Sequence, residues 1–268
     1  MPRPIALVTG ASAGIGQSFA EALAREGHDL IVVARRRDRL QSLAERLAAK
    51  HKSDVQVLVA DLATDAGIEA VAARAASTPL DVVINNAGFG GYRPFVEIDP
   101  KVADDLIAVH IRAVVRVTRA ALSGMVQRER GGIVNVASLL AFSGSLPPGN
   151  FLPFRAVYAG AKAFLVTFTQ ALAGELSTSP SASNVHVQVC LPGLVKTEFH
   201  EVQGFDTSKM PPRMSPDDVA RASLVGLARG EVVCVPALED AAALHAVDEA
   251  QRAVFPAARQ PGLATRYR

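Results

Sequence analysis

Tyr158 and Lys162 stand four residues apart in a stretch of helical character, so both side chains leave one face and can meet a common ligand. A phenol with an ordinary pKa of about 10 is a poor base at neutral pH. An ammonium about 4 Å away contributes roughly 4 kcal/mol at an effective dielectric of about 20, enough to lower that pKa by about 3. Solvent and other charges reduce the figure, but the direction suits general acid/base work. Taken alone, the pair is equally an ordinary helix-surface pair.

The run Gly10-Ala11-Ser12-Ala13-Gly14-Ile15-Gly16 adds weight, because it follows an apolar strand-like segment and opens a helix-like one. Glycines let a turn tighten and let the backbone approach a pyrophosphate, while the N–H groups at the helix start favour its charge. The spacing is G-x-x-x-G-x-G rather than G-x-G-x-x-G, so context more than spacing points to a dinucleotide. An ordinary strand-to-helix connection is the alternative. Arg35-Arg36-Arg37 follow the second strand-like segment, where an acidic residue would bond ribose hydroxyls and an arginine would take a 2′-phosphate. This favours NADP(H) over NAD(H), with Arg35 first and Arg36 beside it. A solvated helix start is the competing reading, and the arginine-rich composition weakens any argument from one arginine.

These groups need a frame. Apolar runs at 5–9, 30–34, 55–60, 81–84, 133–137, 185–191 and 232–235 read as strands. Helical periodicity covers 17–25, 38–50, 64–77, 100–128, 155–177, 217–229 and 239–254. Such alternation predicts an α/β fold, a Rossmann-like doubly wound parallel sheet of about seven strands with helices on both faces. One domain is expected over residues 1–268, with only the last dozen as a loose tail. Asn86, Ser138 and Gly193 each follow a strand, at the carboxyl edge where open α/β sheets bind ligands; as isolated residues they also suit turns and caps.

Composition narrows the partners. The 268 residues are 49% apolar without Trp and carry a net charge of +2 with scattered basic residues. That excludes a disordered chain and offers no nucleic-acid footprint, so a small molecule is the expected partner. Cys190 and Cys234 show no disulfide or metal spacing and read as buried thiols, with no metal site. The N-terminal residues do not read as a signal peptide and no apolar run reads as long enough to span a bilayer, so the expectation is a cytoplasmic protein without a membrane partner.

Thr9-Gly10-x-x-x-Gly14-x-Gly16, Asn85-Asn86-Ala87-Gly88, Ser138, Tyr158-x-x-x-Lys162 and Pro192-Gly193, in that order, resemble the short-chain dehydrogenase/reductase family from about residue 5 to at least 235. The resemblance implies hydride transfer between a nicotinamide cofactor and a carbonyl/alcohol substrate. It implies that Tyr158 moves the substrate proton, Ser138 bonds the carbonyl oxygen, and Lys162 lowers the Tyr pKa and holds the nicotinamide ribose. Gly10, Ser12, Ala13, Gly14, Ile15, Gly16, Arg35 and Arg36 would line the cofactor's phosphates. Asp61 and Leu62 would face the adenine, Asn86, Ala87 and Gly88 the adenosine side, and Pro192, Gly193, Val195 and Thr197 the carboxamide end. The helices at 100–128 and 155–177 resemble those of a family homodimer or homotetramer.

Two departures stand out. His110 occupies the place where the family carries an Asn that supports a proton relay to the Lys; imidazole can donate and accept, so His110 either keeps the relay or is inert. The stretch from Ser138 to Tyr158 is long, with a loop at about 143–154. Its Phe142, Phe151, Leu152 and Phe154, with Leu194 and Phe199 of a lid at about 194–212, form an apolar pocket or merely anchor the loop. An epimerase or dehydratase is disfavoured because the chain has little room for a sugar-nucleotide domain. A non-catalytic dinucleotide sensor is the alternative function: the missing Asn supports it, and the retained Ser138, Tyr158 and Lys162 oppose it.

Overall fold

Apolar runs too short for helices form seven strands: β1 (Ile5–Thr9), β2 (Asp29–Ala34), β3 (Val55–Val59), β4 (Val82–Asn85), β5 (Gly131–Val136), β6 (Val185–Cys190) and β7 (Val233–Cys234). All pair in parallel, in the order β3-β2-β1-β4-β5-β6-β7. The chain reverses direction across the sheet between β1 and β4, which opens a crevice at their carboxyl ends. The computed structural model describes residues 2–149, 152–259 and 261–268. Two compact units result, Met1–Pro236 and Ala237–Arg268.

The intervening segments are α1 (Gly14–Arg25), α2 (Arg37–His51), α3 (Asp65–Ser77), α4 (Pro100–Ile107), α5 (Ala113–Gln127), α6 (Ala156–Ser177), α7 (Phe199–Val202) and α8 (Pro216–Ala228). Period-two alternation feeds both faces of the sheet. Ala6 and Val8 of β1, with Leu30 and Val32 of β2, pack under α1, α2 and α8. Leu7, Ile31 and Val33 point the other way, under α3 and α5. In α2 the buried residues are Leu40, Leu43 and Leu47, one stripe of a helix whose other positions are polar. Truncating one of them to Ala costs about 2–5 kcal/mol.

Sequence periodicity predicts one helix over 100–128. A π-helical turn, Ala108–Arg112, joins α4 to α5 instead. The wider turn carries an extra residue, and here it directs His110 into the interior, where it is 1% exposed. Below the crevice, buried side chains tie strands to helices: Asn85 Nδ2 donates to Thr118 Oγ1 (3.0 Å) and Asn135 Oδ1 (2.9 Å), and Asn135 Nδ2 to Thr169 Oγ1 (3.0 Å). Such satisfied polar groups fix register, since slippage would leave them unpaired in the core. Cys190 and Cys234, distant in sequence, are partners across β6 and β7; both are free and buried.

The reading that no apolar run could span a bilayer meets one exception. Helix α6 is long and apolar enough to do so by length and composition. Its Ala-rich sequence has another use, because Tyr158, Ala161, Lys162, Leu165 and Thr169 are buried on one side and the helix lies against β6. In the second unit, α9 (Ala242–Ala257) starts where Asp240 Oδ1 accepts from Ala242 N (2.9 Å), and Asp248 pairs with Arg252 at 2.9 Å.

Candidate active site

A cavity of about 980 Å³ lies at the carboxyl edge of the sheet, within the first unit. Its cofactor-sized half starts at the glycine-rich turn. Gly10 has φ +68°, and Gly14 has φ +56° with space for a Cβ taken by Thr197 Cγ2 at 2.9 Å, so the turn presses against the loop after β6. Helix α1 has no side-chain cap at Ala13 and no acidic residue in its first turn. Its first N–H groups therefore lack a side-chain anion, the arrangement that accepts a phosphate. The residues present fit a dinucleotide's pyrophosphate.

Ser12, Ala13, Ile15, Arg35, Arg36, Asp61, Leu62, Asn86, Ala87, Gly88, Pro192, Gly193, Val195 and Thr197 join Gly10 and Gly14 in the wall, so nearly all the cofactor-side residues singled out from sequence converge. Gly16 is the exception. It lies below the wall, where a Cβ would stand 2.4 Å from both Asn86 Nδ2 and Gly10 O, so its part is to let the turn approach β4. Asn86 bolts that contact: its Nδ2 donates to Thr9 O (3.0 Å), while Thr9 Oγ1 accepts from the backbone N–H groups of Asn86 (2.9 Å) and Ala87 (3.0 Å). The two arginines diverge. Arg36 donates to Ser12 Oγ from Nε (3.2 Å) and Nη2 (2.9 Å), whereas Arg35 Nη1 stands 4.0 Å from Asp61 Oδ2 and is largely exposed.

Ser138, Tyr158, Lys162 and His110 line the other half. Ser138 ends β5 and caps a 3-10 turn, Leu139–Phe142, accepting from Leu140 N at 3.2 Å. Tyr158 and Lys162, on adjacent turns of α6, are 6% and 4% exposed. Lys162 Nζ donates to Val136 O (2.8 Å) and lies 5.6 Å from the centre of the Tyr158 ring. Burial pushes the Tyr158 hydroxyl up to about 12, opposed by the hydroxyls of Ser138 and Tyr92. Burial alone pulls Lys162 down to about 7. The expected lowering of Tyr158 by the ammonium is thus not realised in the cofactor-free protein: desolvation wins at both groups, and the lysine is itself close to neutral.

His110 packs edge-on to Tyr158, ring centres 5.4 Å apart. Its Nε2 donates to Phe89 O at 2.9 Å, which leaves Nδ1 as a buried acceptor without a partner among the described residues. Burial first, then the nearby Lys162, holds the imidazole well below its ordinary pKa despite the bond to Phe89. Gly88 permits this placement, since a Cβ there would meet His110 Cε1 at 2.4 Å.

Residues not singled out from sequence complete the site. Tyr92, in the loop after β4, faces Tyr158, Phe199 and Phe205 with ring-centre separations of 5.4, 6.4 and 5.7 Å. The chain has three tyrosines, so one placed four residues past Gly88 was a usable signal. Gln203 Oε1 accepts from Gly91 N (3.0 Å) and joins the lid to that loop. The lid is pinched at its base, where Lys196 N donates to Met214 O and Met214 N to Leu194 O, each at 2.9 Å. Buried Arg155 gathers the 143–154 loop, donating to Ser143 Oγ and O (2.6 Å each), Leu146 O (2.8 Å) and Pro153 O (3.0 Å). Phe142, Leu152, Leu194 and Phe199 line the cavity as the apolar-pocket reading expects. Phe154 does not and is 50% exposed; Phe151 lies outside the described residues.

Residues 4–206 match the short chain dehydrogenase family. The chain belongs to that family. This short-chain dehydrogenase is 32% identical over 235 residues to a very-long-chain 3-oxoacyl-CoA reductase of Scheffersomyces stipitis, covering 84% of this chain and 64% of the reductase, so it spans under two thirds of that relative's length. It superposes with a TM-score of 0.91 and 36% identity on a short-chain dehydrogenase from Sphingobium yanoikuyae in complex with NADPH, covering 99% and 100% of the two chains. A bulky-bulky ketone specific alcohol dehydrogenase from Comamonas testosteroni gives 0.87 and 32%, covering 98% of each.

Proposed function

We propose that this chain is an NADP(H)-dependent oxidoreductase that moves a hydride between the nicotinamide and a carbonyl/alcohol substrate with apolar flanks. The observation that carries this reading is that Ser138, Tyr158 and Lys162 share one cavity with an uncapped helix start, the glycine-rich turn and Arg36. The bound nicotinamide supplies or accepts the hydride. Everything else falls to the chain. The amides at the start of α1 hold the pyrophosphate, Arg35 and Arg36 the 2′-phosphate, and Asp61 and Leu62 flank the adenine, with Asn86, Ala87 and Gly88 on the adenosine side and Val195 and Thr197 at the carboxamide.

Ser138 and Tyr158 hydroxyls hold the carbonyl oxygen, and Tyr158 gives or takes its proton. With the diphosphate's negative charge in the cleft, Lys162 regains its proton, and the cation then lowers Tyr158 towards the working range. His110, neutral and with a free acceptor at Nδ1, is a relay group to Lys162. Phe142, Leu152, Phe199 and Phe205 exclude water around the substrate's flanks. Three features agree with this reading: the family, the NADPH bound by the Sphingobium enzyme, and the ketone specificity named for the Comamonas enzyme. A homodimer or homotetramer in the cytoplasm belongs to it too; Phe164 and Phe168, stacked 5.7 Å apart on the more open side of α6, support self-association.

The test is fluorescence titration with NADPH and NADH of the wild type, Arg35→Ala and Arg36→Ala, followed by turnover of bulky ketones by wild type and Tyr158→Phe. Selective loss of NADPH binding in the arginine variants, and loss of turnover with binding kept in Tyr158→Phe, are expected. Binding without turnover in the wild type across a broad panel favours the sensor; no binding of either nucleotide sinks the proposal.

A further inference from the structure

Glu198 follows Thr197 and precedes α7, on the lid side of the cleft. Its carboxylate reaches across to the opposite wall, where Oε1 accepts from Arg36 Nη1 at 2.5 Å and Oε2 from Arg39 Nη1 at 2.7 Å. Arg36 Nε and Nη2 are held by Ser12, so each of its three nitrogens already donates to a protein oxygen. Slight burial pushes the Glu198 carboxyl up, but the two guanidiniums outweigh it and keep it below its ordinary pKa, fully ionised at neutral pH. One anion on two guanidinium forks has the charge pattern of a bound phosphate.

We propose that Glu198 is a specificity-determining residue whose carboxylate occupies the arginine pair that the nucleotide's 2′-phosphate would take, so that NADP(H) must displace it whereas NAD(H) need not. The idea rests on the NADP(H) reading of the same cleft. A 2′-phosphate near −2 meets Arg36 and Arg39 carrying +2 between them, but with Glu198 seated the trio carries only +1. The carboxylate therefore tempers the preference for NADP(H). Displacement also reaches the substrate side, because Glu198 leads directly into Phe199, which walls the cavity beside Tyr158 at 6.4 Å between ring centres.

Dissociation constants for NADPH and NADH, measured at one fixed salt concentration with wild type and Glu198→Gln, test this. Removing an exposed carboxylate that competes at both arginines is expected to tighten NADPH about two- to fivefold and leave NADH unchanged. In a background of Arg36→Met with Arg39→Met the same substitution should leave NADPH binding unchanged. No gain for NADPH overturns the proposal. So do equal changes for both nucleotides, which would make the pair a lid clasp, and a loss confined to NADH, which would make Glu198 an acceptor for ribose hydroxyls. A wild type that binds neither nucleotide is a separate result, read in the first arm, and removes the cofactor reading itself.

Discussion

The ring of Tyr92 meets that of Tyr158 edge-on, centres 5.4 Å apart and planes at 66°, which sets a second phenol beside the one proposed to move the proton. Burial, and then Tyr158 itself, push the Tyr92 hydroxyl far above its ordinary pKa, so Tyr92 stays protonated and acts as a donor. Its bond helps hold Tyr158 down. Tyr92→Phe should therefore raise the pKa of Tyr158 and displace the alkaline-rising limb of alcohol oxidation to higher pH by up to about 1. Nucleotide affinity should not change. A pH profile that overlays the wild type would reduce Tyr92 to wall packing.

Gly88 and His110 form a pair that can be tested for coupling. A Cβ at position 88 would lie 2.4 Å from His110 Cε1, and Gly88→Ala should cost about 1–3 kcal/mol in urea unfolding. In a His110→Ala background the same change should cost much less, since the obstructing ring is gone. Additive costs would place the strain elsewhere.

The buried imidazole also gives stability a pH dependence. Below about pH 6.5 the unfolded chain protonates His110 while the folded protein resists, so the unfolded state binds more protons and stability falls with pH. The loss begins near 6.5 and continues down to the imidazole's own, much lower pKa in the folded protein. His110→Asn should flatten the fall in urea midpoint between pH 7 and 5. An unaltered slope would mean that other groups carry it.

Arg155 donates four hydrogen bonds to the loop it anchors, three of them to carbonyl oxygens. Arg155→Met keeps much of the aliphatic volume but strips those donors, and should destabilise the protein by about 2 kcal/mol or more. Limited proteolysis should show new cleavage within 143–154. Unchanged protection would show that the loop's prolines and apolar contacts suffice.

The architecture was legible because it rests on local patterns: alternating apolar runs and helical stripes recur along the chain, and the parallel order follows once each strand is followed by a helix. The motifs from Gly10 to Gly193 were legible for the same reason, each being a short turn at the end of a strand. Other features depended on side chains distant in sequence. Periodicity cannot register one extra residue in a helical turn, so the π-turn that buries His110 was invisible. Tyr92 and Glu198 carry no spacing signal; their neighbours Tyr158 and Arg36 lie 66 and 162 residues away. Burial, too, is a tertiary quantity. Sequence placed a lysine one helical turn from a tyrosine and implied that charge would govern their chemistry, but only the packed interior makes desolvation the larger effect at both.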